Sequence, residues 1–224
     1  MEAPTSDTRT ALLHAAMACF SERGFDGTSM RMIADRARRP LSLLAHYFGN
    51  KEGLYLAVFN LIFDRLYIEF KNHPLPEAGC MPTDRQDAER ILREQIQNLF
   101  HRVVQCASQS DPIFECGVRL LPQEVRSPRP ELFPIMISYI KPTAETIKNC
   151  IKVLRPELGE DQVIFLGISI FGQVAGHSLM RGLNQVVWGR VELAENQAQA
   201  AEWLVDLCLN GLLARPGRGR KELA

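Results

Sequence analysis

An all-α fold is what this sequence predicts, and three observations carry the prediction. Apolar residues recur at three- and four-residue intervals along most of the chain. No stretch sustains apolar alternation of period two, and there is no Asn-Gly hairpin signal between alternating runs. Proline and glycine gather in short clusters that punctuate the periodic runs. The 224 residues are 46% hydrophobic and 23% charged with zero formal net charge, ordinary values for a globular protein and enough chain for one large or two small cores. The longest apolar runs are too short to span a bilayer, and the N-terminal MEAPTSDTRT lacks the apolar centre of a signal peptide. A cytoplasmic protein with no membrane partner is expected.

The elements follow in order. A first helix is predicted from about Asp7 to Arg23, with Leu12, Leu13, Ala16, Cys19 and Phe20 on one face and Gly24 as its C-terminal cap. Thr28 is read as the N-cap of a second helix, Ser29 to about Ala37, in which Met30, Ile33, Ala34 and Ala37 share a face. Pro40 ends that pattern and suits the opening of a third helix, Leu41 to Phe48. A fourth helix, from near Asn50 to Lys71, is apolar on several sides and should touch two layers.

Residues 72–83 carry three prolines and a glycine and read as a loop. A helix from about Asp84 to Ser108 follows. Pro112, Pro122, Pro128, Pro130 and Pro134 then predict short helices and turns over 109–134. Another helix is expected from Glu131 to Leu154, kinked or truly begun at Pro142. The last two, about Glu160 to Leu183 and Asn196 to Leu213, are the most apolar. They can close a core or form half of a four-helix subunit interface. The tail RPGRGRKELA is basic and reads as disordered.

The segment Thr28 to Lys51 carries the functional signal. Two short helices about a corner of a few residues are the helix-turn-helix plan, whose second helix enters the DNA major groove. Arg31, Arg36, Arg38 and Arg39 cluster at that corner, although the chain as a whole is neutral. Enzymatic signatures are missing: there is no glycine-rich phosphate loop, no HExxH and no GxSxG. The six cysteines form no CxxC pair and no Cys/His spacing suited to zinc, so they read as small hydrophobes. No cofactor and no metal site is expected.

Three pieces together resemble the tetracycline-repressor (TetR) family: Phe20-Ser-Glu-Arg-Gly24-Phe25 before Thr28, Met30 to Ala37, and His46-Tyr47-Phe48-Gly-Asn-Lys51-Glu52-Gly-Leu54. The stretch from Arg119 to Pro130 resembles the C-terminal domain of the CecR-like branch. The resemblance implies an N-terminal helix-turn-helix domain, placed here at 1–53. A helical effector-binding and dimerising domain at 54–215 and a basic tail at 216–224 complete the chain. It further implies a homodimer, joined through the last two helices, that binds a palindromic double-stranded DNA operator and is released by a small-molecule effector.

Residue by residue, Thr28 matches a phosphate contact at a helix N-terminus, where free N–H groups favour anions. Arg31 matches a position that reaches phosphate or a base edge. His46, Tyr47 and Lys51 match contacts flanking the recognition helix. That helix departs from the family's pattern. Arg38, Arg39 and Pro40 stand where the family tends to place a glycine, a small hydrophobe and a serine, and Leu41, Ser42, Leu43 and Ala45 replace Lys, Gly, Thr and Tyr. Direct readout should then be sparse. Leu41 or Ala45 would meet thymine methyls, Ser42 would face the groove, and Arg38 and Arg39 would supply phosphate affinity. A second reading is a degenerate member whose apolar Leu41-Leu43-Leu44 surface serves protein contacts instead.

For the effector, Ser169, Gln173 and His177 recur at four-residue spacing on one face of an apolar helix, and Arg119 and Tyr139 are further candidates. The alternative is that the first three hydrogen-bond within the core or across a subunit interface.

Overall fold

A computed structural model describes residues 5–72, 80–106, 111–189 and 197–213. Ten α-helices and one 3-10 turn occur among the described residues, and no strand does. The helices are α1 (Thr5–Arg23), α2 (Met30–Ala37), α3 (Leu41–Phe48), α4 (Lys51–Asn72), α5 (Arg85–Cys106), α6 (Pro112–Arg126), α7 (Phe133–Leu154), α8 (Glu160–Leu179), α9 (Arg181–Trp188) and α10 (Gln197–Leu213). They divide into two compact units. The first comprises residues 1–72 with 105–140, and the second 73–104 with 141–224.

In the first unit α1 packs on α2, α4 and α6, and α3 packs on α2 and α4. Leu12, Phe20, Ile33, Leu44, Phe59 and Leu120 are fully buried in its core. Phe20, Tyr55 and Phe59 form a chain of edge-on and tilted rings with centroids 4.8 and 5.0 Å apart, the arrangement that aromatic quadrupoles favour. The all-round apolarity of α4 is explained within this unit, because it contacts α1, α3, α6 and the 3-10 turn at once.

In the second unit Ile91, Leu92 and Ile96 of α5, Ile147 and Ile151 of α7 and Val163 of α8 are buried together, with Leu204 and Val205 of α10. Between α5 and α10, Arg93 pairs with Glu202 at 2.7 Å. Two lysines of α7, Lys148 and Lys152, hold Glu160 at the start of α8 at 2.6 and 2.7 Å. They pull its carboxyl down to about 2.

Several boundaries differ from the sequence-based expectation. Ser29, not Thr28, caps α2: its side chain accepts from the Met32 N–H at 3.2 Å. Over 111–134 the expected short helices and turns are replaced in part by a fifteen-residue helix, and only the 3-10 turn after it is short. Pro112 sits in the first turn of α6, where a missing N–H costs nothing, and Asp111 caps it by accepting from the Ile113 N–H at 2.8 Å. Pro122 lies inside α6, tolerated because Cys116, Leu120 and Glu124 bury the same face. The 3-10 turn Pro130–Leu132 delays α7 to Phe133, and α7 continues through Pro142. The helix expected to reach Leu183 stops at Leu179, and Met180 separates it from α9. The tail at 216–224 lies outside the described residues.

The described cysteines are free thiols, with Cys19, Cys116 and Cys150 buried. Burial pushes the Cys150 thiol up to about 12, as expected of an inert core cysteine.

Candidate nucleic-acid interface

The corner between α2 and α3 is built by local backbone chemistry. The Arg39 N–H bonds the Ala34 carbonyl at 3.0 Å and the Arg38 N–H bonds that of Asp35 at 3.1 Å, the paired closure of a Schellman motif. That closure requires a left-handed residue after the helix, and here it is Arg38, with φ 52° and ψ 47°. Among the described residues Arg38 is the one non-glycine with positive φ. Pro40 then takes an extended conformation and α3 begins at Leu41 without a capping side chain.

Four residues fasten α3 to the scaffold. Leu44 is completely buried, while Leu43, Tyr47 and Phe48 lie half-buried against the same core. The opposite face carries Leu41, Ser42, Ala45 and His46, all exposed. Arg31 is exposed on α2, and Arg38 and Arg39 are exposed at the corner. The arginine cluster is thus smaller than the sequence suggests. Arg36 is held by Glu22 of α1 through two bonds of 2.7 and 2.6 Å, and the same bonds hold the Glu22 carboxyl below its usual range.

Thr28 also turns inward. It is 2% exposed, its hydroxyl donates toward the carbonyls of Gly24 at 2.8 Å and Cys19 at 3.1 Å, and its N–H bonds the Phe25 carbonyl. With these bonds in place its side chain ties the α1–α2 turn to α1, and the open end of α2 belongs to Ser29.

At the start of α4, Asn50 caps by accepting from the Gly53 N–H at 2.8 Å. Lys51 follows, with Nζ standing 4.2 Å over the ring of Phe25. Tyr47 makes an edge-on contact with His46, ring centroids 5.2 Å apart. Arg9 of α1 stands 5.4 Å over the Phe48 ring.

Behind this surface lies a buried polar group that sequence reasoning missed. Glu124 of α6 is 3% exposed. It accepts from the Tyr55 hydroxyl at 3.0 Å, the Arg129 N–H at 3.0 Å and the Arg129 Nε at 3.2 Å. Burial, reinforced by this carboxylate, pushes the Tyr55 phenol well above its usual range. The signal was present: Cys116, Leu120 and Glu124 are spaced by four, placing the glutamate on the buried stripe of its helix.

The proposed effector residues fall in both units. In the first unit Arg119 lines an open cleft of about 420 Å³ between α1 and α6, beside His14, Met17, Glu22 and Cys116. Tyr139 does not line it. Its hydroxyl donates to Asp64 at 2.9 Å and its ring stacks on Phe63, centroids 4.9 Å apart. In the second unit Ser169 donates to the Phe165 carbonyl one turn back at 2.8 Å. Gln173 is exposed, and exposed His177 meets the ring of Phe100 edge-on at 5.5 Å. Gln95 of α5 was not foreseen. It is 1% exposed, and its Oε1 has no hydrogen-bond partner among the described residues. No group of His, Cys, Asp and Glu among the described residues can hold a metal ion. No described helix is long and apolar enough to cross a membrane.

Comparison with known proteins bears on this architecture. Residues 12–58 match the model of the bacterial regulatory proteins of the tetR family. Residues 88–212, more than half of the chain, match the C-terminal domain of the HTH-type transcriptional dual regulator CecR. The chain belongs to the TetR family. Its C-terminal part is of the CecR type, and the family is one of transcriptional regulators rather than enzymes. The dual regulator CecR of Shigella flexneri is 32% identical over 102 residues, 46% of this chain and 45% of that protein. The regulator RutR of Escherichia coli strain K12 is 42% identical over 59 residues, 26% of this chain and 28% of that protein. The chain therefore spans less than half the length of the relatives it matches in sequence. In fold, a TetR-like regulator from Rhodococcus sp. RHA1 aligns over 96% of this chain and 100% of its own, with TM-score 0.56 and 21% identity.

Proposed function

We propose that this TetR-family chain is a ligand-responsive regulator that binds a palindromic operator as a homodimer and is released by a small molecule. The α2–α3 corner carries the reading: an exposed row on α3, anchored by one buried leucine and flanked by exposed arginines and the lysine that opens α4. In this proposal Leu41, Ser42, Ala45 and His46 face the groove, and Arg31, Arg38, Arg39, Tyr47 and Lys51 meet the backbone. Ser29 takes the place of Thr28 at the anion-favouring N-terminus of α2. The DNA-binding function falls within 1–53, and effector binding and dimerisation within 54–215.

The dimer surface we assign to α8 and α10. Phe165 and Ile168 are 67% and 66% exposed on α8, and Trp203 and Leu207 are 57% and 61% exposed on α10. The two helices pack together within the second unit, and Gly172 and Gly211 leave open space beside them. An exposed apolar face of this size on a regulator suits a second copy. Gln173 shares the exposed side of α8, which favours an interface role for it. The Oε1 of Gln95, unpartnered among the described residues, supports an effector with a hydrogen-bond donor in the second unit. CecR is named a dual regulator, so activation stands beside repression as a mode for this chain.

The test is selection of fragments from sheared genomic DNA by the purified protein, read by sequencing. The expected result is an enriched inverted repeat whose half-sites lie about one helical turn or slightly more apart. A folded, dimeric protein that enriches no site would refute the reading and favour the degenerate form, in which the apolar row begun by Leu41 binds protein.

A further inference from the structure

Phe25 lies in the turn between α1 and α2, half-buried, its ring flanked by Phe20 and edge-on to Tyr55 at 4.9 Å. Two cations converge on it. Lys51 Nζ stands 4.2 Å from the ring centroid and the Arg129 guanidinium carbon 4.1 Å. Attraction to the ring quadrupole is the evident reason that two like charges share one small surface. The two differ in how their charge is balanced. Arg129 is neutralised by buried Glu124, which takes its backbone N–H as well as its Nε, and by Asp26 at 3.5 Å. Lys51 forms no ion pair among the described residues, so its charge is the one left for an outside anion.

We infer that Arg129 is a positioning residue for DNA binding: fixed by Glu124, it holds the Phe25 ring as a perch that keeps the Lys51 ammonium ready for a DNA phosphate. This rests on the assignment of Lys51 as a phosphate contact. The chemistry is preorganisation. A lysine on a four-carbon stem loses rotamer freedom when it engages a phosphate, and an ammonium already confined over a ring has lost much of it beforehand. Arg129 cannot drift from the ring without leaving the Glu124 carboxylate buried and unbalanced, which makes it a stiff support. The segment just after α6 is thereby joined to the DNA-facing end of α4 through three side chains, none of them on the recognition helix.

The experiment measures binding to a labelled duplex of random sequence by full-length protein as a function of salt. Each phosphate contact contributes about 0.9 to the slope of log affinity against log salt. Lys51→Ala is expected to lose that amount per protomer, about fivefold in affinity near 0.15 M salt for each contact. Phe25→Leu and Arg129→Met are expected to lose a measurable part of the same slope, because an unconfined lysine engages the phosphate in only a fraction of the complexes. Phe25→Leu leaves the Glu124–Arg129 pair intact, so it serves if Arg129→Met folds poorly. Phe25→Tyr, which retains the ring face, should restore the wild-type slope, a rescue that a merely structural role would not produce. The double variant Lys51→Ala/Phe25→Leu should lose no more slope than Lys51→Ala alone.

If Lys51→Ala loses slope while Phe25→Leu and Arg129→Met keep it, the perch is overturned and the lysine contact stands. Additive loss in the double variant, or tighter binding by Phe25→Leu, also overturns the perch. An unchanged slope in Lys51→Ala removes the phosphate assignment and the inference with it.

Discussion

Replacing Arg38 by glycine should stabilise the protein and weaken its hold on DNA at once. Arg38 occupies the left-handed region that closes α2, with φ 52°. For an L-residue that conformation costs roughly 1–2 kcal/mol, because Cβ crowds the following carbonyl oxygen. Glycine escapes the crowding but gains freedom in the unfolded chain, a loss of about 0.4–1 kcal/mol. The net expectation is a gain of ~0.5–1 kcal/mol, since the Arg38 N–H and the Arg39 N–H keep their carbonyl partners whatever the side chain. For a chain of this size that is about 1–4 °C in Tm. Urea denaturation followed by circular dichroism reads it directly, as a raised midpoint with unchanged slope. In the same variant the salt slope of DNA binding should fall by about 0.9 per protomer if the guanidinium meets a phosphate. A midpoint that stays put or drops would refute the argument that strain is stored at this corner. An unchanged salt slope would refute the DNA contact alone.

Three further outcomes are expected. Tyr55→Phe removes the hydroxyl that bonds buried Glu124 at 3.0 Å and should cost about 1.5–3 kcal/mol in urea denaturation, the range for a bond to a charged group; an immeasurable loss would mean that solvent reaches Glu124. Leu207→Glu, or Phe165→Glu, should convert a dimer to monomers in sedimentation velocity with helix content retained, and a persistent dimer would move the interface off α8 and α10. The Glu160 carboxyl is depressed from 4.5 to about 2 by Lys148 and Lys152, so its stabilising contribution is present above pH 4.5 and lost as pH falls toward 2; Glu160→Gln should flatten the thermal melts over that window, and identical acid profiles would contradict the pairing.

Much of the helical pattern was legible because it is local. The bounds of α3 follow from Pro40 and Gly49, and the start of α4 from the Asn50 cap, each a consequence of one residue's own chemistry. Errors arose where several residues offered the same service. Thr28 and Ser29 are both capping hydroxyls. The turn closed by the Thr28 N–H on the Phe25 carbonyl turns the first inward and leaves the second for α2. The prolines of 109–134 read as breaks, yet tertiary burial carries α6 through Pro122. Of the site, the exposed row on α3 could be read from spacing. The capture of Arg36 by Glu22, fourteen residues away, could not, nor could the meeting of Phe25, Lys51 and Arg129. Those are facts of folding, which sequence separation conceals.

The one-sided attachment of α3 has an evolutionary meaning. An eight-residue helix is far too short to persist in water by itself, so its shape is lent to it by Leu44 and its half-buried neighbours. Leu41, Ser42 and Ala45 are exposed and add little to that loan, and exposed His46 adds one edge-on contact with Tyr47. Substitution at these positions is expected to leave the core intact. In the proposed reading, α3 is a replaceable cassette: a lineage would retarget it to new sequences by mutation at these four exposed positions while Leu44 and its neighbours keep the helix on the core.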